Sequence, residues 1–239
     1  MHNIFTEIRE NLSFLLVCFA IFAALVLLAA LAERLHGAKK KLAPARRVSF
    51  VAMFSAVAAV LMMLELPLFF APSFYKLDLS ELPVLICAFY LGPVSGVVCE
   101  LVKIVLKLLL KGTSTAFVGD FANFAVGCSF VLPAAVVYHW HRSRKGAVAA
   151  LGLGTAIMTV FGSLFNAWFL IPKFAQLYGM PLESIIALGT QVNRSIQDVG
   201  TLVLFAVVPF NLLKGALVSA LTFFLYKRVE RFLFRSGKD

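Results

Sequence analysis

The sequence has few charged residues: Asp, Glu, Lys and Arg together make up 14% of its 239 residues, whereas 61% are hydrophobic. A soluble domain typically carries about 25% charged residues. A chain this apolar could not cover a water-exposed surface with polar groups, so the scarcity of charge excludes a soluble protein. Its apolar runs are continuous rather than alternating, which favours spanning helices over a β-barrel. We therefore predict an all-α integral membrane protein.

Sequence motifs of catalysis are also missing. The chain has no GxxxxGK[ST] loop, no HExxH, no GxSxG and no Asp-rich cluster. The missing phosphate loop excludes ATP hydrolysis by this chain alone, and the other absences disfavour metal-assisted and serine-based chemistry. The four histidines lie near helix ends or in basic loops, where interfacial solvation explains them better than metal ligation: His2, His36, His139 and His141. We predict that the protein is not an enzyme and binds no metal and no cofactor.

Cysteine is scarce as well, and the positions of the cysteines do not indicate a metal site or disulfide bonds. The four cysteines lie within apolar runs and have neither CxxC spacing nor a neighbouring histidine: Cys18, Cys87, Cys99 and Cys128. This pattern indicates small buried side chains rather than a zinc site or a disulfide framework.

Positive charge is abundant by comparison, with 22 Lys and Arg against 12 Asp and Glu. Fourteen of the 22 fall in three short segments next to apolar runs, Arg34 to Arg47, Arg142 to Lys145 and Lys227 to Lys238. Such clustering follows the positive-inside rule, so we place all three segments in the cytoplasm, in contact with anionic membrane lipids. The distribution argues against a nucleic-acid partner.

Six apolar runs are long enough to form membrane helices, which need roughly 20 residues to cross. They are Leu12 to Ala32, Val48 to about Phe70, Leu82 to Leu110, Phe117 to Trp140, Ala147 to Ile171 and Thr201 to Phe224. The first run is too long for the core of a signal peptide, so we interpret it as a retained helix. A long connection, Pro172 to Gly200, precedes the last run.

The charge rule constrains the third run. If the basic segments on both sides are cytoplasmic, Leu82 to Leu110 must begin and end on the same membrane face. Gly92-Pro93 would break it into a short helix and a longer returning helix, buried among the others. Residues 1–46 then form an extra N-terminal helix with a basic linker, and residues 47–239 form a six-helix domain. The N-terminus is predicted to lie outside and the C-terminus in the cytoplasm.

Polar side chains within apolar helices are candidates for a binding site, because they are costly in a membrane. Asn123, Asn166 and Asn211 each fall within an apolar run, and Lys214 follows Asn211 by almost one turn. Amides suit an uncharged ligand with amide-like edges, although hydrogen bonding between helices is the alternative. A second polar set lies on one face of the returning helix: Glu100 and Lys103 can pair, and Lys107 and Lys111 can reach the outer interface.

Seven short segments resemble the riboflavin-specific substrate-binding (S) components of energy-coupling-factor (ECF) vitamin transporters. The resemblance spans roughly Val48 to Arg228, and the order and spacing of the segments carry it. The segments are Lys76 to Pro83, Leu91-Gly-Pro-Val-Ser-Gly96, Glu100-Leu-Val-Lys103, Gly119-Asp-Phe-Ala-Asn-Phe124, Phe130-Val-Leu-Pro133, Gly179-Met-Pro-Leu-Glu183 and Pro209-Phe-Asn-Leu-Leu-Lys214.

The resemblance implies a six-helix bundle in the cytoplasmic membrane of a prokaryote, which captures riboflavin from the outside. The first external loop would cover the ligand with Tyr75, Lys76, Leu77 and Asp78. Asn166, Asn211 and Lys214 would hydrogen-bond the isoalloxazine edge, and Asn123 would line the pocket.

The resemblance also implies partners. Ala52 and Ala56 would contact a transmembrane coupling subunit, and two cytoplasmic ATPase subunits would supply energy. Two alternatives stay open. An S component for another vitamin would share the architecture, and a membrane enzyme acting on a lipid would need an acidic or histidine cluster.

Overall fold

A computed structural model describes residues 12–36, 43–72, 75–113, 115, 117–177 and 179–234. Parts of the predicted basic segments, residues 37–42 and 235–239, lie outside these ranges, as does His2. Within them the chain is almost entirely helical, which confirms the predicted all-α class.

The helices alternate with short connections and one small hairpin. The first elements in chain order are α1 (Leu12–His36), α2 (Pro44–Met63), β1 (Leu66–Pro67), β2 (Lys76–Leu77), α3 (Glu81–Leu91) and α4 (Pro93–Lys111). They are followed by α5 (Val118–Trp140), α6 (Arg144–Phe165), a π-helical turn (Asn166–Leu170), α7 (Ile171–Leu177), α8 (Leu182–Val192), α9 (Val199–Leu202), a second π-helical turn (Val203–Val207) and α10 (Val208–Phe234).

Within the described ranges, four helical segments are long and apolar enough to cross a membrane: Pro44–Met63, Val118–Trp140, Arg144–Leu177 and Val199–Val229. Helix α4 has the length but carries Glu100, Lys103, Lys107 and Lys111. At 25 residues α1 is also long enough, since each residue rises about 1.5 Å. That α1 spans the membrane stays a prediction.

The predicted break between the short and the returning helix is confirmed. Gly92 has a φ of 112°, which favours glycine, and Pro93 opens α4 where its missing N–H is harmless. The short helix α3 is buried on almost every side, against α2, α4, α5 and α10. Such a half-length helix inside a bundle is compatible with a membrane because its backbone is covered by protein.

Two predicted boundaries were wrong. Helix α2 ends at Met63 rather than near Phe70, because Leu66–Pro67 pairs with Lys76–Leu77 in an antiparallel hairpin. The predicted connection from Pro172 to Gly200 is mostly helical, since the π-helical turn carries α6 into α7 and α8 follows. Pro172 directly follows the π-helical turn, inside the continuous helical run Arg144–Leu177.

Helix α1 packs across α4 and α5. Their shared cluster includes Ala29, Val97, Ile104, Phe124 and Cys128. The cysteine prediction is confirmed for Cys87, Cys99 and Cys128, which are buried and free. The side chain of Cys18 lies outside what the structure describes.

Glu33 joins α1 to the start of α4. Its Oε1 accepts a hydrogen bond from the Val94 N–H at 3.0 Å and lies 3.4 Å from Nη2 of Arg47. Nε of Arg47 in turn donates to Oγ of Ser95 at 2.8 Å. A carboxylate at a helix N-terminus both accepts from a free amide and complements the helix dipole. Glu33 therefore stabilises the broken-helix junction.

Replacing Glu33 with alanine is expected to cost about 1 kcal/mol, because the Val94 amide loses its acceptor. The thermal midpoint in detergent should fall by roughly 2–4 °C. Arg34→Ala, which alters an exposed neighbour on the same helix, is the control and should leave the midpoint unchanged. Equal midpoints for all three proteins would mean that α1 contributes nothing through this contact.

Candidate ligand site

A cavity of about 710 Å³ lies between the hairpin, the first π-helical turn and helices α2, α4, α5, α7, α8 and α10. Its volume is within the range of small-molecule sites, about 300–1,000 Å³. Its wall combines apolar side chains such as Leu170, Ile171, Phe174 and Phe210 with a few amide and charged groups. That combination is typical of a site for a largely apolar ligand with a polar edge.

The structure brings most of the predicted ligand residues together at this cavity. Those that line it are Tyr75, Lys76, Asp78, Asn123, Asn166, Asn211 and Lys214. Leu77 is not among the lining residues. It is buried in a neighbouring cluster with Ile171 and Ile185, because successive side chains of a strand point to opposite faces.

Two π-helical turns shape the wall. Asn166 begins the first turn, and the second ends shortly before Phe210 and Asn211. A π-helical turn adds one residue to a helical turn, so it rotates the side chains that follow relative to those before, and such turns are frequent at functional sites. Hydrophobic periodicity did not indicate either turn, because both lie in continuous apolar sequence.

Asn166 is fully engaged across the cavity wall. Its Oδ1 accepts a hydrogen bond from the Tyr75 hydroxyl at 2.8 Å, and its Nδ2 donates to the Gly162 carbonyl at 2.7 Å. Burial raises the pKa of the Tyr75 hydroxyl well above its usual range, so the hydroxyl stays protonated and available as a donor. Tyr75 thus fastens the hairpin loop to the first π-helical turn.

Asn211 offers a donor instead. Its Nδ2 is buried and has no hydrogen-bond acceptor among the residues that the structure describes. Gly162 makes room for this amide, since a Cβ at position 162 would lie 2.9 Å from Nδ2. A buried N–H without an acceptor lowers the stability of the fold by about 1–3 kcal/mol, so a ligand that offers an acceptor to Asn211 would remove this cost.

Lys214 carries the buried positive charge at the wall. Its Nζ lies 2.9 Å from Oδ2 of Asp78 and 3.1 Å from Oε2 of Glu81. Burial acts to raise the pKa of Asp78, but the nearby Lys214 and Lys103 ammonium groups and hydrogen bonds from Ser80 outweigh it and lower the pKa. The Asp78 carboxylate therefore stays ionised and holds Lys214 in place. Sequence analysis missed Glu81 in this role, although it belongs to the segment that carried the family resemblance.

A second pair, Lys107 and Asp120, also lines the cavity. Nζ of Lys107 lies 2.6 Å from Oδ1 of Asp120 and donates to the Gly112 carbonyl at 3.1 Å, while the Thr113 hydroxyl donates to Oδ2 of Asp120 at 2.7 Å. The expectation that Lys107 reaches the outer interface was wrong: its side chain is 11% exposed. Because α4 and α5 pack together here, a buried carboxylate is a better partner than distant water.

Glu65 lies at the rim between two lysines. Its Oε2 is 2.9 Å from Nζ of Lys76 and 3.1 Å from Nζ of Lys111, and both lysines are about half exposed. Partial burial acts to raise the pKa of Glu65, but these two ammonium groups lower it overall. Ion pairs therefore border the rim, and the interfacial position of Lys111 stays a prediction.

Ala52 and Ala56 lie apart from the cavity, on the exposed face of α2. Phe54, Ser55 and Ala58 of the same helix are buried against the bundle. The two alanines therefore leave a shallow, accessible surface, and their predicted role as a coupling face stays a prediction.

Comparison with known proteins identifies the family. Residues 46–226 match the family described as "ECF transporter, substrate-specific component". The riboflavin transporter RibU of Staphylococcus aureus (strain TCH60) is 34% identical over 190 residues, 80% of this chain and 93% of that protein. The riboflavin transporter FmnP of Bacillus subtilis (strain 168) is 31% identical over 186 residues, 77% of this chain and 92% of that protein.

A solved structure of the S component of a bacterial ECF transporter agrees with this assignment. It is 34% identical to this chain, covers 81% of this chain and 100% of its own, and superposes with a TM-score of 0.63. Helix α1 precedes the matched segment, and the division into residues 1–46 and 47–239 stays a prediction. The predicted family is confirmed: the chain belongs to the substrate-specific components of ECF transporters.

Proposed function

We propose that this protein binds riboflavin and serves as the substrate-specific component for its uptake across the plasma membrane of a prokaryote. The observation that carries the proposal is the cavity, whose largely apolar wall presents three amides and, among its charged groups, the buried Lys214. Two relatives that match most of the chain are named riboflavin transporters, which supports the choice of ligand. Membership in a family of transporter components sets aside the membrane-enzyme alternative.

The chemistry of riboflavin fits these groups. Its flat ring system has one edge with two carbonyl oxygens and an N–H between them, and its side chain carries hydroxyls. Asn211 Nδ2 and the Lys214 ammonium would donate to the carbonyl oxygens, while Phe174 and Phe210 would contact the ring face. Asn166 Oδ1 would accept the ring N–H, in exchange for the hydroxyl of Tyr75.

The ribityl hydroxyls would meet the charged pair Lys107 and Asp120. A hydroxyl can donate to a carboxylate and accept from an ammonium, so this pair can serve it without losing its own contact. Asn123, which is half-buried at the wall, supplies a further amide. Lys76 and Leu77 would act with Tyr75 and Asp78 as parts of the covering loop.

Energy for transport would come from partners. We propose that a transmembrane coupling subunit contacts the α2 face at Ala52 and Ala56, and that two cytoplasmic ATPase subunits drive the cycle. Small side chains permit close approach of a second helix in a membrane, which suits such a contact. In this arrangement the C-terminus lies in the cytoplasm and the N-terminus outside.

Titration of riboflavin with the protein purified in mild detergent tests the ligand. We expect saturable quenching of riboflavin fluorescence, or a flavin absorbance spectrum in the purified protein. Asn211→Leu, which removes the unpaired donor at similar volume, should weaken binding at least about 10-fold, in line with the energy of one buried hydrogen bond. Gln191→Leu, on the exposed face of α8, is the control and should bind normally. A folded protein that ignores riboflavin but binds another vitamin would contradict the proposal.

A further inference from the structure

Five ionisable side chains form a buried cluster that extends from the cavity wall into the bundle. Asp78 and Lys214 lie at the wall, and Glu81, Glu100 and Lys103 lie behind them. None is more than 7% exposed, and Glu100 and Lys103 are fully buried. The cluster contains three carboxyl groups but only two ammonium groups, so its charges do not balance if every group is ionised.

The contacts show which carboxyl group is in excess. The Lys103 ammonium lies 3.1 Å from Oγ of Ser80, 3.5 Å from Oε1 of Glu81 and next to Oε1 of Glu100, which accounts for its three protons. Lys214 contacts Asp78 and Glu81. Oδ1 of Asp78 also accepts from the Ser80 N–H at 2.9 Å. Glu81 therefore contacts both lysines, whereas Glu100 contacts Lys103 alone.

One oxygen of the Glu100 carboxyl group has no hydrogen-bond donor among the described residues. Its Oε1 competes with Glu81 and Ser80 for Lys103, and no donor within the described parts of the chain reaches its Oε2. On the α5 side the Glu100 carboxyl group packs against Gly127 and lies near Cys128. A Cβ at position 127 would collide with the carboxyl group. An ionised carboxylate that shares one cation with another carboxylate, and has one oxygen without a donor, is disfavoured in such surroundings.

We propose that Glu100 carries a proton in the folded protein, so that the cluster binds one proton and is neutral. A bound monovalent cation would balance the charge equally well. It is disfavoured because the Lys103 ammonium already occupies the space beside Oε1. The groups that face Glu100 are Glu81 from α3, Lys103 from its own helix and Lys214 from α10, with Gly127 and Cys128 from α5. The proton keeps Lys214 from being drawn away from the ligand cavity by a third negative charge.

Glu100→Gln tests the proposal, because glutamine has the shape and the neutral charge of a protonated glutamic acid. Without riboflavin present, the thermal midpoint of this variant should equal or exceed that of the wild type, and the difference should grow as the pH rises. Above about pH 4 the unfolded wild-type chain releases this proton while the folded protein keeps it, so the wild type loses stability as the pH rises until Glu100 itself ionises. Glutamine does not titrate, so the variant lacks this loss. Glu81→Gln, the matched control, removes a charge that both lysines need and should lower the midpoint by roughly 10 °C.

Infrared spectroscopy of the wild-type protein supplies an independent readout. We expect the carbonyl stretch of a protonated carboxylic acid near neutral pH, and its loss in Glu100→Gln. Three results would overturn the proposal: no such band in the folded wild type, a band that persists in Glu100→Gln, or a thermal midpoint that depends on sodium when sodium replaces choline at constant ionic strength. None of these measurements uses riboflavin, so they stand apart from the test of the ligand.

Discussion

Replacing Lys214 with methionine is expected to weaken riboflavin binding about 100-fold. A buried hydrogen bond from a charged donor contributes about 3 kcal/mol at most, and each 1.4 kcal/mol is a factor of ten in affinity. The same change leaves Asp78 and Glu81 without one of their cations, which costs about 3–5 kcal/mol of stability for a buried pair. Fluorescence titration and the thermal midpoint, measured on the same preparation, report the two effects.

A charge-balanced variant separates binding from stability. Asp78→Asn combined with Lys214→Met removes one charge of each sign, so the thermal midpoint should recover most of its loss while binding stays weak. Lys173→Met is the matched control, because this lysine is exposed on α7 and does not line the cavity. It should change affinity less than about threefold. Wild-type affinity in the double variant would remove Lys214 from the ligand site.

Bulky substitution on the exposed face of α2 is expected to abolish uptake without affecting binding. Ala52→Trp or Ala56→Trp would hold a partner helix away from α2, whereas neither residue lines the cavity. The measurement is uptake of labelled riboflavin by cells that make the complete transporter, together with copurification of the coupling subunit. We expect uptake near background and wild-type affinity in detergent.

Val148→Trp on α6 is the control for this experiment, since it places the same side chain on another exposed apolar surface. It should transport normally. Loss of riboflavin binding in the Ala52 or Ala56 variants would mean that the face packs within this protein, and normal uptake would mean that the partner binds elsewhere.

Local properties of the sequence were enough to predict the class of the protein and much of its layout. Its hydropathy required membrane helices, and Gly92-Pro93 placed the break between α3 and α4. Both inferences rest on local properties, because the lipid dictates helices wherever a run is apolar and proline restricts its own neighbours. The order of short segments also predicted the family, since related chains keep residue types at matching positions.

The role of each polar residue, in contrast, depends on tertiary packing. Nothing local indicates that Lys214 pairs with Asp78, 136 positions away, or that Lys107 is buried against Asp120 rather than exposed at the interface. The two π-helical turns rotate the residues that follow them, so a regular helical period misplaces those side chains. An amide in a helix can hydrogen-bond either another helix or a ligand, and only the packing shows which. The Tyr75 hydroxyl and the Gly162 carbonyl are hydrogen-bond partners of Asn166, whereas Asn211 keeps a free donor within the described parts of the chain. Composition and spacing can be read from the sequence, but which side chains pair with each other depends on which surfaces pack together in the fold.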